Sequence, residues 1–234
     1  MTILVPGVSA GPRAGLSGMT QTRNAPSSAR TLGARPAGME RRHVAVLFAD
    51  ISGFTALVEA VDPELVYQVV RPLMDELVRR VHVHGGVIQQ VLGDGFMAVF
   101  GLHDKPRDDE GAKDTDSADE TRHAIWAGLA LVSTADGTTY PPVHVGIEYG
   151  EVLITPSWEP AGFAVWGRPV PLASRLCGLA GPGTVQLGPA AFERAGRDFP
   201  AAAPVATRLK GFRAPVLAYG VTAGSGDREV HAAS

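Results

Sequence analysis

A single cysteine, Cys177, occurs in 234 residues. One thiol excludes an intramolecular disulfide and a multi-cysteine zinc site, and it suits a reducing, cytoplasmic setting. Neither sign of charge is in excess: 21 Lys and Arg stand against 24 Asp and Glu, a net charge of −3. That balance gives no electrostatic drive toward nucleic acid or an anionic membrane. No apolar run approaches the roughly 18–20 residues that a membrane span requires. The Gly-x-x-x-x-Gly-Lys-Ser/Thr phosphate loop and the Gly-x-Ser-x-Gly nucleophile elbow are both missing, and there is no internal repeat.

Acidic residues are absent from residues 1–39, which are rich in Gly, Ala, Ser and Pro and carry Arg13, Arg23, Arg30 and Arg35. Such a segment cannot bury enough apolar surface to offset its ordering entropy, so a disordered N-terminal tail is expected. It lacks the apolar core of a secretion signal; Met19 and Met39 are alternative starts. Residues 223–234 read as a second, shorter tail. Between them, residues 40–222 are expected to form one domain, with 45% hydrophobic and 19% charged residues in the whole chain, ordinary for a globular protein.

Within that domain, His43–Asp50 reads as a strand burying Val44, Val46 and Phe48, broken by Gly53 before a short helix through Ala60. Asp62-Pro63-Glu64 is a helix start, with an N-cap acid, Pro in the first turn and an acid at the positive end. The spacing of Leu65, Val69, Leu73, Leu77 and Val81 carries that helix to Gly85-Gly86, with a kink expected at Pro72. Val87–Val91 and Phe96–Phe100 form a hairpin around Gly-flanked Asp94. An exposed acidic loop, Asp104–Glu120, feeds a helix through Ser133. Strands at Val143–Gly150, Glu151–Ile154 and Phe163–Trp166 follow, then a helix over Val170–Ala180. Thr184–Leu187, a helix at Pro189–Ala195, Val205–Leu209 and Val216–Val221 complete an α+β sheet layered by helices on one face. Trp126 and Trp166 are expected in the core or at a dimer interface, Trp158 in an exposed loop. His82 and His84 read as a solvated helix end.

Asp50 and Asp94 carry the chemistry. Each ends an apolar strand beside glycine, which exposes an acid at the edge of a buried sheet. If the two strands are neighbours, the carboxylates converge, and the Ile51 carbonyl adds a hard oxygen. Such a set suits Mg²⁺ or Mn²⁺ held jointly with substrate phosphates. Gly53-Phe54 opens a helix whose N–H groups face a phosphate.

The blocks "ERRHVAVLFADISGFTALVEAVDPE", "HGGVIQQVLGDGFMAVFG", "VHVGIEYGEVL", "VWGRPVPLASRL", "GPGTVQLGPAAFE" and "RLKGFRAPVLAYGV" run in order from Glu40 to Val221. Together they resemble the class III nucleotidyl cyclase catalytic domain, the adenylyl and guanylyl cyclase family. The resemblance implies a ferredoxin-like βαββαβ sandwich that dimerises head to tail, with active sites built from both protomers. It implies two Mg²⁺ or Mn²⁺ ions, a nucleoside triphosphate (ATP or GTP) as substrate, and intracellular signalling as the setting. The partner is a second copy or another cyclase-like protomer. Asp50 and Asp94 fall on the metal aspartates, Arg175 on the transition-state arginine and Lys210 on a triphosphate-binding lysine.

Three positions depart from the family. The base-selecting lysine is Gln90, able to read a purine edge only through its amide. Its polar partner is Ala164, and the ribose-positioning asparagine is Pro171. Arg168 and Pro169 stand where the block usually reads Asp and a small residue. The resemblance thus implies weak, unselective or partner-dependent catalysis, or a degenerate module that binds metal-nucleotide or dimerises to regulate a partner.

Overall fold

The computed structural model describes residues 38–102, 115–157 and 162–222, with 115–118 as backbone. Both tail expectations, most of the acidic loop and Trp158 lie outside the described residues or largely so. Strand β1 (Glu40–Ile51) sits in mid-sheet between β3 (Gly95–Phe100) and β4 (Val143–Pro156), antiparallel to both. Strand β2 (Val87–Leu92) pairs with β3 as the hairpin partner. The order β2-β3-β1-β4, with helices between β1 and β2 and between β3 and β4, is the ferredoxin-like βαββαβ arrangement. Beyond β4 lie β6 (Val185–Leu187), β8 (Val216–Val221) and β7 (Val205–Thr207), while β5 (Phe163–Trp166) pairs with the far end of β4.

Strand β1 is buried on both faces, where its alternation suggested one. Ala45, Leu47 and Ala49 join Phe96, Ala98 and Phe100 beneath α2 (Pro63–Val83) and α3 (Thr115–Thr134). Val44 and Val46 join Met97, Val99 and Ala173 on the other side. Ala173 belongs to α4 (Pro169–Cys177), so the helices cover both faces rather than one. Helix α2 runs unbroken through Pro72 and buries Val66, Val70, Leu73, Met74, Leu77 and Val81. Leu65 and Val69 are exposed instead: after α1 (Phe54–Ala60) the first turns present the stripe one residue on. Trp126 packs edge-on against Phe199, ring centres 5.0 Å apart. Trp166 is 54% exposed and is not a core residue of the protomer.

Gly146 of β4 is what lets α4 lie on the sheet. A Cβ there would overlap the backbone of Ala173 and Cys177. Gly146→Ala is therefore expected to destabilise by about 3 kcal/mol, since a packed helix backbone must move. A thermal melt should fall by roughly 6–12 °C; an unchanged melt would contradict this packing.

Candidate functional site

The register of β1 against β3 sets Asp50 opposite Gly95, the residue after Asp94. Asp94 itself stands in the two-residue turn of the β2–β3 hairpin, where Leu92 pairs with Gly95 and Gly93 has φ 63°. Gly95 is required at this crossing. A Cβ would come within 2.5 Å of the Ala49 carbonyl and 2.7 Å of Asp50 Oδ1. With that space open, the two carboxyls meet side by side, and Ile51 N donates to the Asp94 carbonyl at 3.2 Å. Burial, then the neighbouring Asp94 charge and hydrogen bond, push the Asp50 carboxyl up to about 6.

On its other edge Asp50 lies opposite His144 of β4, whose Nε2 is 3.7 Å from Asp50 Oδ2. His144 Nδ1 is 2.9 Å from Ser52 Oγ. Burial holds the imidazole below its ordinary range, against the raising pull of Asp94. Behind it, the buried Cys177 thiol reaches the His144 carbonyl at 3.4 Å and is pushed up to about 12, chiefly by burial. Neither Ser52 nor His144 was legible as a site residue. His144 is one polar position in an alternating strand until the β1–β4 register brings it to Asp50. Gly53, in the left-handed conformation, caps α1 with open space around it, so the Phe54 backbone begins a helix beside the acids. The Phe54 ring packs on the core and lines an apolar groove of about 490 Å³ with Val66, Tyr67 and Val70.

A separate cavity, about 620 Å³, is lined by Arg168, Pro171 and Arg175 from the start and body of α4, and by Lys210, Phe212 and Arg213 from the β7–β8 loop. Neither Asp50 nor Asp94 lines it. Pro171 is in the first turn of α4, where Leu172 N is the first to reach back to the Arg168 carbonyl. Its missing N–H would have no helical partner, so the proline costs the helix little. Gln90 and Ala164 lie on β2 and β5, and neither lines the cationic cavity. A β-bulge at Ile88–Gln90 turns Gln89 toward β5, and its amide donates to the Phe163 carbonyl at 2.9 Å. Gln90 stays exposed, so it is Gln89 that ties β2 to the strand bearing Ala164.

The family profile described as "Adenylate and Guanylate cyclase catalytic domain" matches residues 38–222. The chain belongs to this family. Uncharacterized proteins of Mycobacterium tuberculosis are similar to it: one is 33% identical over 147 residues, covering 61% of this chain and 24% of that protein. Another is 30% identical over 173 residues, 74% of this chain and 39% of the relative. The chain thus spans well under half the length of these curated relatives. The cyclase fold is shared with the adenylyl cyclase CyaB from P. aeruginosa, at TM-score 0.69, 24% identity, and 81% and 98% coverage of the two chains. It is shared too with the guanylate cyclase domain of RhGC from Catenaria anguillulae, solved with GTP, at TM-score 0.65, 20% identity, and 79% and 98% coverage. Among the described residues of this cyclase domain, no helix is long and apolar enough to cross a membrane.

The donor set of the cyclase domain fits a hard divalent ion. Burial first, and the neighbouring Asp94 carboxyl second, raise Asp50 to about 6, and a cation would relieve the part owed to Asp94. Among the described residues no group of three or more His, Cys, Asp or Glu forms a metal cage. That pattern suits Mg²⁺ or Mn²⁺, which take a few carboxylates and complete their shell with phosphate and water.

A third carboxyl, Glu148, is buried between β4 and α5 (Pro189–Arg194), 3% exposed. Its Oε1 accepts from Tyr149 N at 2.9 Å and Ala191 N at 3.1 Å, while Oε2 has no partner among the described residues. Burial outweighs those bonds and the Arg168 charge, pushing the carboxyl up to about 7. The folded state therefore keeps this proton longer than the unfolded chain, whose Glu ionises near 4.5. Stability from this group is full below pH 4.5 and is lost as pH rises through 7, in total about 3 kcal/mol. Glu148→Gln should raise the melting temperature at pH 8 and leave it nearly unchanged at pH 4.5. An equal shift at both pH values would contradict the buried acid.

Proposed function

We propose that the domain converts ATP or GTP to the 3′,5′-cyclic nucleotide and pyrophosphate in a head-to-tail dimer, with weak, unselective or partner-dependent activity. The observation that carries this reading is the convergence of Asp50 and Asp94 through the β1–β3 register. Asp50, Asp94 and the Ile51 carbonyl would hold two Mg²⁺ or Mn²⁺, which when bound lower the pKa of the ribose 3′-hydroxyl and neutralise phosphate charge. The 3′-oxygen forms a bond to the α-phosphorus, the bond from that phosphorus to the bridging oxygen breaks, and pyrophosphate leaves with the electron pair. The hydroxyl proton passes to solvent. Arg175, in its separate cavity, would meet the charge developing on the α-phosphate when supplied across a dimer, with Lys210 on the triphosphate.

Partner dependence is supported by a one-sided pattern: the acids are intact while Gln90, Ala164 and Pro171 stand where base and ribose would be read. A cyclase-like protomer carrying the family's lysine, polar partner and asparagine would complete one site with this chain's acids. Without such a partner, the second reading is a module that binds metal-nucleotide and regulates by dimerising; Pro171 and Ala164, with no side-chain donors, favour it. The test is cyclic-nucleotide formation with Mn²⁺ and ATP or GTP, alone and mixed with such a protomer. Product above either protein alone supports the enzyme; nucleotide binding without product supports the module.

A further inference from the structure

We propose that His144 and Ser52 are positioning residues of the metal site: Ser52 fixes which imidazole nitrogen carries the hydrogen, and His144 aims that N–H at Asp50 and holds its carboxyl for a cation. The proposal deepens the cyclase reading and rests on its metal half alone.

The Asp50 carboxyl lies between two neighbouring strands. Its Oδ1 is on the β3 side, 2.7 Å from the point where a Cβ on Gly95 would stand, and its Oδ2 is on the β4 side, 3.7 Å from His144 Nε2. The imidazole is itself held from behind. Its Nδ1 is 2.9 Å from Ser52 Oγ, and the His144 carbonyl accepts from the Cys177 thiol at 3.4 Å. Ser52 is pinned in turn, because its N–H donates at 2.8 Å to the carbonyl of Pro142, two residues before His144. Serine and histidine are thus both tied to the start of β4, directly across from Asp50. Only 16% of the His144 side chain is exposed, so this is not a solvated surface histidine.

In a neutral imidazole one nitrogen donates and the other accepts. With the hydrogen on Nδ1, the Nε2 lone pair would face the carboxylate oxygen and repel it. With the hydrogen on Nε2, an N–H faces the acid and Nδ1 accepts from the Ser52 hydroxyl, whose hydrogen rotates to suit. Serine and acid therefore select the same tautomer. At 3.7 Å the contact to Asp50 is longer than a hydrogen bond. The terminal torsion of Asp is broad, so a modest turn of the carboxyl brings Oδ2 within reach of Nε2. An ionised carboxylate offers about four lone-pair sites. The imidazole takes one and leaves the rest for a cation shared with Asp94. Groups that hydrogen-bond a metal-binding carboxylate fix its orientation, and their loss lowers affinity for the ion.

The experiment is Mn²⁺ titration of the full chain without nucleotide, with the free ion read by electron paramagnetic resonance. Binding that Asp50→Ala removes is binding at this site. His144→Gln places an amide N–H where Nε2 stands, whereas His144→Asn reaches only as far as Nδ1. The asparagine variant should weaken Asp50-dependent binding about tenfold, and the glutamine variant should stay within about twofold of the parent. Ser52→Ala, which frees the tautomer, should cost about threefold. Melting curves confirm the fold of each variant. A histidine that serves packing alone would change melting in both variants and separate their Mn²⁺ affinities in neither. Parent-like affinity in His144→Asn would overturn the proposal, as would equal losses in the asparagine and glutamine variants, or Mn²⁺ binding that Asp50→Ala leaves intact. Should His144→Asn fail to fold, Ser52→Ala carries the test, and unchanged affinity there overturns it. Weaker Mn²⁺ binding in His144→Asn, from a chain that makes no cyclic product in any dimer, keeps the positioning role and removes the cyclase reading. Cyclic product that needs Asp50, with Mn²⁺ affinity indifferent to His144, does the reverse.

Discussion

Asp50→Ala should abolish cyclic-nucleotide formation, by at least about 10³-fold, in whatever dimer proves active. The acid would hold the ions that lower the hydroxyl pKa and neutralise the triphosphate, an effect of several kcal/mol on the barrier. The loss will not be one of folding. The Asp50 side chain is 46% exposed, and its carboxyl is raised from 3.8 to about 6 by burial and by Asp94. A carboxyl with a raised folded pKa contributes stability below pH 3.8 that disappears as pH passes 6. Above that pH the metal-free folded state carries a half-buried Asp50 charge beside Asp94, so the alanine variant should melt higher than the parent at pH 8. Activity and stability then move in opposite directions. A variant that melts lower and is inactive would point to a structural role; one that keeps its rate would remove Asp50 from the metal site.

Pro171→Asn is the expected gain. One preorganised donor to transition-state charge is worth about 10²–10³ in rate, and the first turn of α4 asks nothing of a proline N–H. The substitution should raise kcat toward that range with little change in melting temperature. Adding Gln90→Lys and Ala164→Asp should separate ATP from GTP, because base selection rests on buried hydrogen bonds whose loss leaves a partner unpaired. The gains will not add, since groups that act on one transition state are coupled. An unchanged kcat in Pro171→Asn, with nucleotide binding intact, would show that the proline is not what limits the reaction.

Much of the fold was legible because its signals are local. Gly-flanked Asp94 between two apolar runs announces a hairpin, and Asp62-Pro63-Glu64 announces a helix, each within a few residues. The meeting of Asp50 and Asp94 at the β1–β3 crossing followed from their places at strand ends. What escaped depends on neighbours distant in the chain. Gly146 looks like any strand glycine until the backbone of α4, some thirty residues later, is found on it. Leu65 and Val66 offer nearly equivalent helical stripes, and only packing under the sheet chooses between them. His144 and Ser52 join Asp50 through the β1–β4 register. Gln89 displaces Gln90 at β5 through a bulge that no composition rule marks. Arg168 and Arg213 share a cavity only because a loop between two late strands folds back on α4.

Cys177 has a practical corollary. At 5% exposure, with its thiol pushed up to about 12 chiefly by burial, it stays protonated at neutral pH and has little access to solvent. It is therefore silent toward maleimide and iodoacetamide while the protein is folded. A cysteine introduced at exposed Ala214, on the cavity rim, or at exposed Leu65 would be the single labelled position in an otherwise natural chain. Spin labels or fluorophores at those two places could then report, without a cysteine-free background, how and with whom the protomer assembles.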